Sequence, residues 1–234
     1  MNRKYFFLHV LAGVLLLVLE AGGQPVQPDA LDQVPPPLHP PADGKQIAFV
    51  FEDGPLPQTT ALLLDALKNL GMTATFAVTG ENVEFNPTLA RRIVAEGHEL
   101  ANHAYSHPDL KRLNLADLVR EIRAGGEVIT RVTGVKPRFF RATNGELLDE
   151  SLRSVVQQEG YEVLDSTLDS GDWRNPSRAK LMRTVLSGAT PGAVILAHES
   201  FQKSAKEMPA VFDALAKRGF VMCTVSTLHP PASH

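Results

Sequence analysis

The 234-residue chain has a single cysteine, Cys223, so no intrachain disulfide can form and stability must come from a packed core. In the apolar run 220–225 that thiol is expected to be buried and structural rather than nucleophilic. Basic runs are also absent. With 23 Lys and Arg against 26 Asp and Glu, the formal net charge is −3, and no patch is available to meet phosphates, which argues against nucleic acid as a partner. No internal repeat stands out, and no hairpin dipeptide separates the apolar runs of the body of the chain, which speaks against an antiparallel meander.

Long apolar runs are lacking too, except at the start. Arg3 and Lys4 precede an apolar stretch over 5–19, and the small residues Ala21, Gly22 and Gly23 follow, so residues 1–23 read as a secretory signal peptide. An uncleaved anchor is the other reading, because the stretch is close to the short limit for a span of roughly 20 residues. No Cys follows it, which speaks against lipoprotein processing. Removing 1–23 takes away two basic residues and one acidic one, leaving 21 against 25 and a charge of −4. The mature protein is expected to be exported, periplasmic or secreted, with no stable membrane span. Residues 24–44, with Pro35, Pro36, Pro37, Pro40 and Pro41, read as a proline-rich linker in which His39 is solvated. The remainder, 45–234, is long enough for one catalytic domain and too short for two.

From Lys45 onward short apolar runs alternate with segments of helical period. Strands are expected near 47–51, 73–78, 99–101, 139–141, 162–165, 194–197 and 220–224. Helices are expected over 59–70, 87–96, 115–133, 147–159, 177–187 and 206–217, the third capped by Asn114 and stopped by Gly134. About seven strands separated by helices predict an α/β fold of parallel units closed or nearly closed into a distorted (β/α) barrel; an open doubly wound sheet has the same periodicity.

Polar residues gather where those strands end. Glu52 and Asp53 follow the first, His103 and His107 the third, Arg141 closes the fourth, Asp169 and Asp172 come after the fifth, and His198 follows the sixth. In a parallel barrel these ends share one rim, where active sites of this architecture lie. The i, i+4 spacing of His103 and His107 places two imidazoles on one side of a helical turn, and Asp53 adds a carboxylate. Two His and one Asp suit Zn²⁺ or a similar divalent ion and leave a position open for water. Glu52 can then act as base and His198 as acid in an amide hydrolysis, with Asp169 orienting His198, Arg141 steadying Glu52 or Asp169, and Trp173 lining a pocket.

The ordered motifs Phe51-Glu52-Asp53-Gly54-Pro55, His103-Ala-Tyr-Ser-His107-Pro108, Arg141-Ala-Thr-Asn-Gly145, Asp169-Ser-Gly-Asp172-Trp173 and Leu196-Ala-His198 resemble those of the polysaccharide deacetylases with a NodB homology domain, carbohydrate esterase family four. The resemblance covers roughly 47–224. It implies a NodB-like barrel that removes acetyl groups from N-acetylglucosamine units of peptidoglycan, chitin or a related glycan. It further implies Asp53, His103 and His107 as metal ligands, Glu52 as catalytic base and His198 as acid, tuned by Arg141 and Asp169. Trp173 and Leu196 then wall the acetyl pocket, and the backbone N–H of Asn144 serves the oxyanion. Zn²⁺ is the metal implied, with Co²⁺ or Ni²⁺ as alternatives, and a monomer is the expected form. The first motif usually has two Asp where this chain has Glu52 then Asp53, Ala104 stands where Ser or Thr is usual, and Thr143 and Asn144 replace a Pro and an aromatic. A degenerate relative that binds metal and glycan without turnover is therefore a second reading, and a hydrolase of small C–N substrates a third.

Overall fold

The computed structural model describes residues 45–143 and 149–230; the expected signal and linker, Asn144 and the first residues of the expected helix 147–159 lie outside these. Eight strands occur among the described residues: β1 Lys45–Gly54, β2 Thr75–Val78, β3 Glu99–Asn102, β4 Phe139–Phe140, β5 Glu162–Val163, β6 Leu168–Asp169, β7 Val194–His198 and β8 Phe220–Cys223. Every pairing is parallel. Seven run in the order β5-β4-β3-β2-β1-β7-β6, and β8 pairs with the first half of β1. β5 and β6 stand at opposite ends of this row yet are joined by only residues 164–167, so the sheet must curl until its ends nearly meet. The result is a barrel whose last seam is crossed by the chain itself. Leu164 N–H donates to Phe140 O on one side of the seam, and Thr167 N–H to Val194 O on the other, at 2.8 and 2.9 Å.

The helices are α1 Thr60–Asn69, α2 Gly80–Phe85, α3 Pro87–Ala95, α4 Leu115–Thr133, α5 Glu150–Gln158, α6 Arg178–Gly188, α7 Gln202–Ala205, α8 Met208–Ala216 and α9 Val225–Leu228. α4 has the expected bounds because both ends are specified locally. Asn114 Oδ1 accepts from Asp117 N–H at 3.0 Å, and Gly134, at φ 77°, takes the left-handed cap position with its N–H on Thr130 O. α2 and β6 are not anticipated in the sequence. At six and two residues they are too short to show a period.

Side-chain alternation sorts the strands into two faces. Ile47, Phe49 and Phe51 of β1 pack outward with Phe76, Leu63, Leu67 and Phe212. The ring centroids of Phe49 and Phe51 lie 5.6 Å apart, stacked, and Phe212 meets Phe49 edge-on at 5.3 Å. Ala48 and Val50 point the other way and meet Ala77, Ala101, Phe139, Leu164 and Val194, with Val225 of α9 in the same cluster. In an open doubly wound sheet this second face would be covered by a helix layer. Here strand residues fill it from every side, three of them alanines that keep the lumen narrow. Cys223 is buried, its Sγ 3.6 Å from Ile47 O, and burial pushes the thiol up to about 11, so it is a packed, unreactive group. No helix among the described residues is long and apolar enough to cross a membrane.

Candidate active site

Two-residue alternation, continued to the carboxyl ends of the strands, selects the site. From Val50, Ala101 and Phe139 of the lumen and Leu196 of the cavity wall, one further step of two gives Glu52, His103, Arg141 and His198. Glu52 and His198 are direct Cα partners across β1 and β7. The ladder carries the others to the same level: His103 N–H bonds Val78 O at 3.0 Å, and Arg141 N–H bonds Asn102 O at 2.8 Å.

Asp53 has the wrong parity, and the backbone corrects it. The β1–β2 register shifts between Glu52 and Gly54, and Asp53 sits at φ 73°. This bulge turns two consecutive carboxylates toward one cavity instead of opposite faces. Ser200 Oγ donates to Asp53 Oδ2, and Asn82 Nδ2 to Asp53 O at 2.7 Å, which hold the bulge in place.

His103 and His107 are brought together by a loop rather than by the expected helical turn. Residues 103–107 carry no helix, and Ala104 and His107 are left-handed at φ 63° and 59°. The loop is pinned from two sides. Gly80 and Glu81 of α2 donate to Ala104 O and Tyr105 O, each at 3.0 Å, and Glu121 of α4 accepts from the N–H groups of Tyr105 and Ser106 at 3.1 and 2.9 Å. α4 approaches so closely that a Cβ at Gly125 would lie 2.7 Å from Ala104 O. The two imidazole rings end 5.0 Å apart.

These three residues fit a divalent cation. Their donor atoms all lie within 4.8 Å of one another, with Asp53 Oδ1 3.7 Å from His103 Nε2 and 3.4 Å from His107 Nε2. His103 Nδ1 donates to Arg141 O at 2.9 Å, which fixes the tautomer and leaves Nε2 with its lone pair. That buried Nε2 has no hydrogen-bond partner, as an atom awaiting a ligand would be left. Burial holds His107 below its ordinary pKa, in the neutral form that ligation requires.

The acid–base pair lies beside them. Glu52 is 1% exposed; its Oε1 accepts from Arg141 Nε at 2.5 Å and its Oε2 is 3.3 Å from His198 Nε2. Burial alone would raise its pKa, but the bond from His198 and the Arg141 guanidinium outweigh that and lower it to about 2. His198 is the converse: burial opposes its charge, and its bonds to Asp172 and Glu52 raise it to about 10. A carboxylate and an imidazolium therefore face each other, each held in its charged form by the other and by its further partner, Arg141 or Asp172.

The orienting carboxylate is Asp172, which corrects the expected role of Asp169. Asp172 Oδ1 lies 2.8 Å from His198 Nδ1, and its Oδ2 accepts from His198 N–H at 2.7 Å. Asp169 instead accepts from Gly171 N–H at 2.8 Å and from Trp173 Nε1 at 3.0 Å. The cause is the left-handed Gly171, at φ 69°, which starts a one-turn 3₁₀ helix, Asp172–Arg174, and carries Asp172 beneath the imidazole. Glu52, Asp53, His107, Arg141, Ser166, Asp169, Trp173, Leu196, His198 and Phe201 surround a cavity of about 410 Å³. Ser200 and Phe201, two and three residues beyond His198, have no signal in the sequence beyond that nearness.

Behind the cavity lies Glu199, fully buried, its N–H on Glu52 O at 2.9 Å and its Oε2 accepting from Thr60 Oγ1. A Cβ on Gly54 would meet its Oε1 at 1.8 Å, so any larger residue there would have to displace the Glu199 carboxyl. Burial pushes the Glu199 carboxyl up from 4.5 to about 8. The folded chain thus keeps a proton that the unfolded chain releases, and stability falls as pH rises from about 4.5 toward 8, by up to about 1.4 kcal/mol per pH unit. His198, raised from 6.5 to about 10, adds a loss of the same sign above 6.5. Urea unfolding of the wild type and Glu199→Gln between pH 5 and 8 separates the two. The variant is expected to gain on the wild type by about 1 kcal/mol per pH unit, and parallel curves would show that Glu199 is ionised in the fold.

With this geometry in place, the relatives can be compared. A polysaccharide deacetylase family model matches residues 39–164. A peptidoglycan-N-acetylglucosamine deacetylase of Bacillus cereus is 32% identical over 192 residues, covering 80% of this chain and 70% of that protein. The peptidoglycan-N-acetylmuramic acid deacetylase PdaC of Bacillus subtilis is 34% identical over 184 residues, which are 79% of this chain but 38% of that protein. The solved structure of peptidoglycan deacetylase PdaC from Bacillus subtilis matches with a TM-score of 0.75 at 33% identity, over 80% of this chain and 90% of that one. The curled parallel barrel thus has its counterpart in solved deacetylases as well as in the motif order, and the chain belongs to the polysaccharide deacetylase family, NodB-like carbohydrate esterases of family four.

Proposed function

We propose that this protein is an exported, metal-dependent hydrolase that removes N-acetyl groups from N-acetylglucosamine-type units of a cell-wall glycan, releasing acetate. The observation that carries this reading is the approach of Glu52 Oε2 to His198 Nε2, 3.3 Å, beside a two-histidine, one-aspartate donor set. Asp53, His103 and His107 would hold the ion, Zn²⁺ by preference, with Co²⁺ or Ni²⁺ accepted by the same donors. Such an ion supplies Lewis-acid polarisation of the acetyl carbonyl and makes water more acidic.

The chain's own groups complete the reaction. Glu52 takes a proton from the attacking water as its oxygen bonds the acetyl carbon. His198, with Nδ1 held by Asp172, gives its Nε2 proton to the sugar nitrogen as the C–N bond breaks, so that water and amide become acetate and amine. Arg141 keeps Glu52 ionised and aimed. Leu196 and Trp173 form apolar walls suited to the acetyl methyl group. The oxyanion donor expected at Asn144 lies outside the described residues. Export by residues 1–23, tethering by 24–44 and a monomeric catalytic domain over 45–234 complete this reading.

Acetate release from N-acetylglucosamine oligomers and from peptidoglycan, with and without chelator, tests it. Chelation is expected to lower the rate by about 10²-fold or more. His103→Ala and His107→Ala are expected to lose bound divalent ion as well as activity; metal content equal to the wild type in both would remove the site. Glu52 in place of the usual Asp favours the second reading, a glycan binder without turnover. Bound metal with no acetate from any of these substrates would select it.

A further inference from the structure

The turn that carries Asp172 to His198 also sets Trp173 in the wall of the cavity, with Arg174 next to it. Trp173 is 45% exposed, and its ring is anchored through Nε1 to Asp169. The guanidinium carbon of Arg174 lies over that ring, 4.4 Å from its centre. Trp173 lines the cavity and Arg174 does not, so the guanidinium sits beyond the indole, outside the acetyl pocket.

Arg174 shares with Arg183 the lack of a carboxylate partner among the described residues, but it alone of the two stacks on a side chain that lines the cavity. Arg178 is paired with Glu207 at 3.2 Å and Arg138 with Glu162 at 2.7 Å, whereas among the described residues no carboxylate lies within ion-pair distance of Arg174. The two acidic groups of its own turn are engaged elsewhere, Asp169 by Gly171 and Trp173 and Asp172 by His198. Among the described residues no carboxylate meets its N–H donors, whose fork matches the two oxygens of a carboxylate. A neutral N-acetylglucosamine chain offers it only hydroxyl and carbonyl oxygens, which make weaker bonds than a charged acceptor. A glycan with a carboxylate on or beside the acetylated sugar does.

We propose that Arg174, held on Trp173, is a receptor for a substrate carboxylate, so that the site prefers an acidic N-acetylated glycan to a neutral one. This rests on the glycan-hydrolase reading for its substrate class. The carboxylate can come from a lactyl ether on the sugar or from a peptide attached to it, and the probes distinguish these.

The chain has one tryptophan, so its fluorescence reports on this cavity wall alone. The wild type, Arg174→Gln and Arg174→Lys are mixed by stopped flow with four probes: chitobiose, a disaccharide with a free lactyl acid, its methyl ester, and a muropeptide whose lactyl group is amide-linked to a peptide. The wild type is expected to bind the free acid or the muropeptide about tenfold more tightly than the ester and chitobiose, as a charge-assisted pair provides. Arg174→Gln should abolish that preference while leaving chitobiose within about twofold, and Arg174→Lys should restore part of it. Preference for the free acid assigns the lactyl source, and preference for the muropeptide the peptide source. Equal binding of all four probes by the wild type, an equal loss on all four in Arg174→Gln, or no binding at all overturns the proposal. Acetate measured on the same samples keeps the two readings apart. Release without acid preference removes only the receptor, and acid-selective binding without release removes only the turnover.

Discussion

Glu52→Ala is expected to abolish acetate release while retaining the divalent ion. Glu52 is not one of the three donors grouped around the metal site, and general bases contribute about 10²- to 10⁴-fold to rate. Glu52→Asp is the sharper test. If this chain merely tolerated a longer side chain where Asp is usual, shortening it would speed the reaction. The surroundings argue otherwise, because both oxygens are engaged, Oε1 by Arg141 at 2.5 Å and Oε2 facing His198 at 3.3 Å, in a site 1% exposed. Retracting the carboxylate by about 1 Å breaks that fit, and a displacement of this size can cost about 10²-fold. Turnover of Glu52→Asp is therefore expected to fall by about 10- to 100-fold, with KM little changed. A faster Glu52→Asp would show that the wild-type base is misplaced, and an unchanged rate in both variants would remove Glu52 from the mechanism.

Arg141→Met should have the largest effect on stability. Arg141 is 2% exposed, and its side chain does two things at once: Nε binds Glu52, and Nη1 donates to Leu164 O at 3.2 Å, on the segment that crosses the barrel seam. Removing one partner of a buried pair leaves an uncompensated charge, a loss of about 3–5 kcal/mol. His198 stays beside Glu52, which favours the lower end. Guanidinium unfolding of Arg141→Met, Glu52→Gln and the double variant measures the coupling. The double variant is expected to be more stable than the sum of the two losses predicts, by about 1–3 kcal/mol. Additivity within about 0.5 kcal/mol would mean that Arg141 acts through the seam alone.

The barrel and its rim were legible because they rest on repeated signals. Parallel strands and intervening helices recur along the chain, and α4 carries its own start and stop in Asn114 and Gly134. Glu52, His103, Arg141 and His198 stand at strand ends in the sequence and in the fold. Features decided by single backbone torsions were not legible. Asp169 and Asp172 are three residues apart in a turn, and only the left-handed Gly171 determines which of them reaches His198. The spacing of His103 and His107 fits a helical turn, yet anchors on Glu121 and α2 make it a loop. Glu199 looks like an ordinary surface carboxylate in the sequence, and its burial depends on the close approach of Gly54.

The alternation that aims Glu52 into the lumen has a consequence for how such a chain can change length. Inserting or deleting one residue between Lys45 and Val50 exchanges the two faces of everything after it. The Glu52 carboxylate would then turn into the layer of Phe76 and Phe212, and an aromatic ring would enter the acid–base site. Substitutions along β1 are graded in their effect, but a single-residue length change there is all or none. The loop 103–107 follows no such rule, since its shape is set by anchors at Glu121 and α2 rather than by a ladder. Length variation that preserves the site is therefore expected in the connections between elements and not within β1.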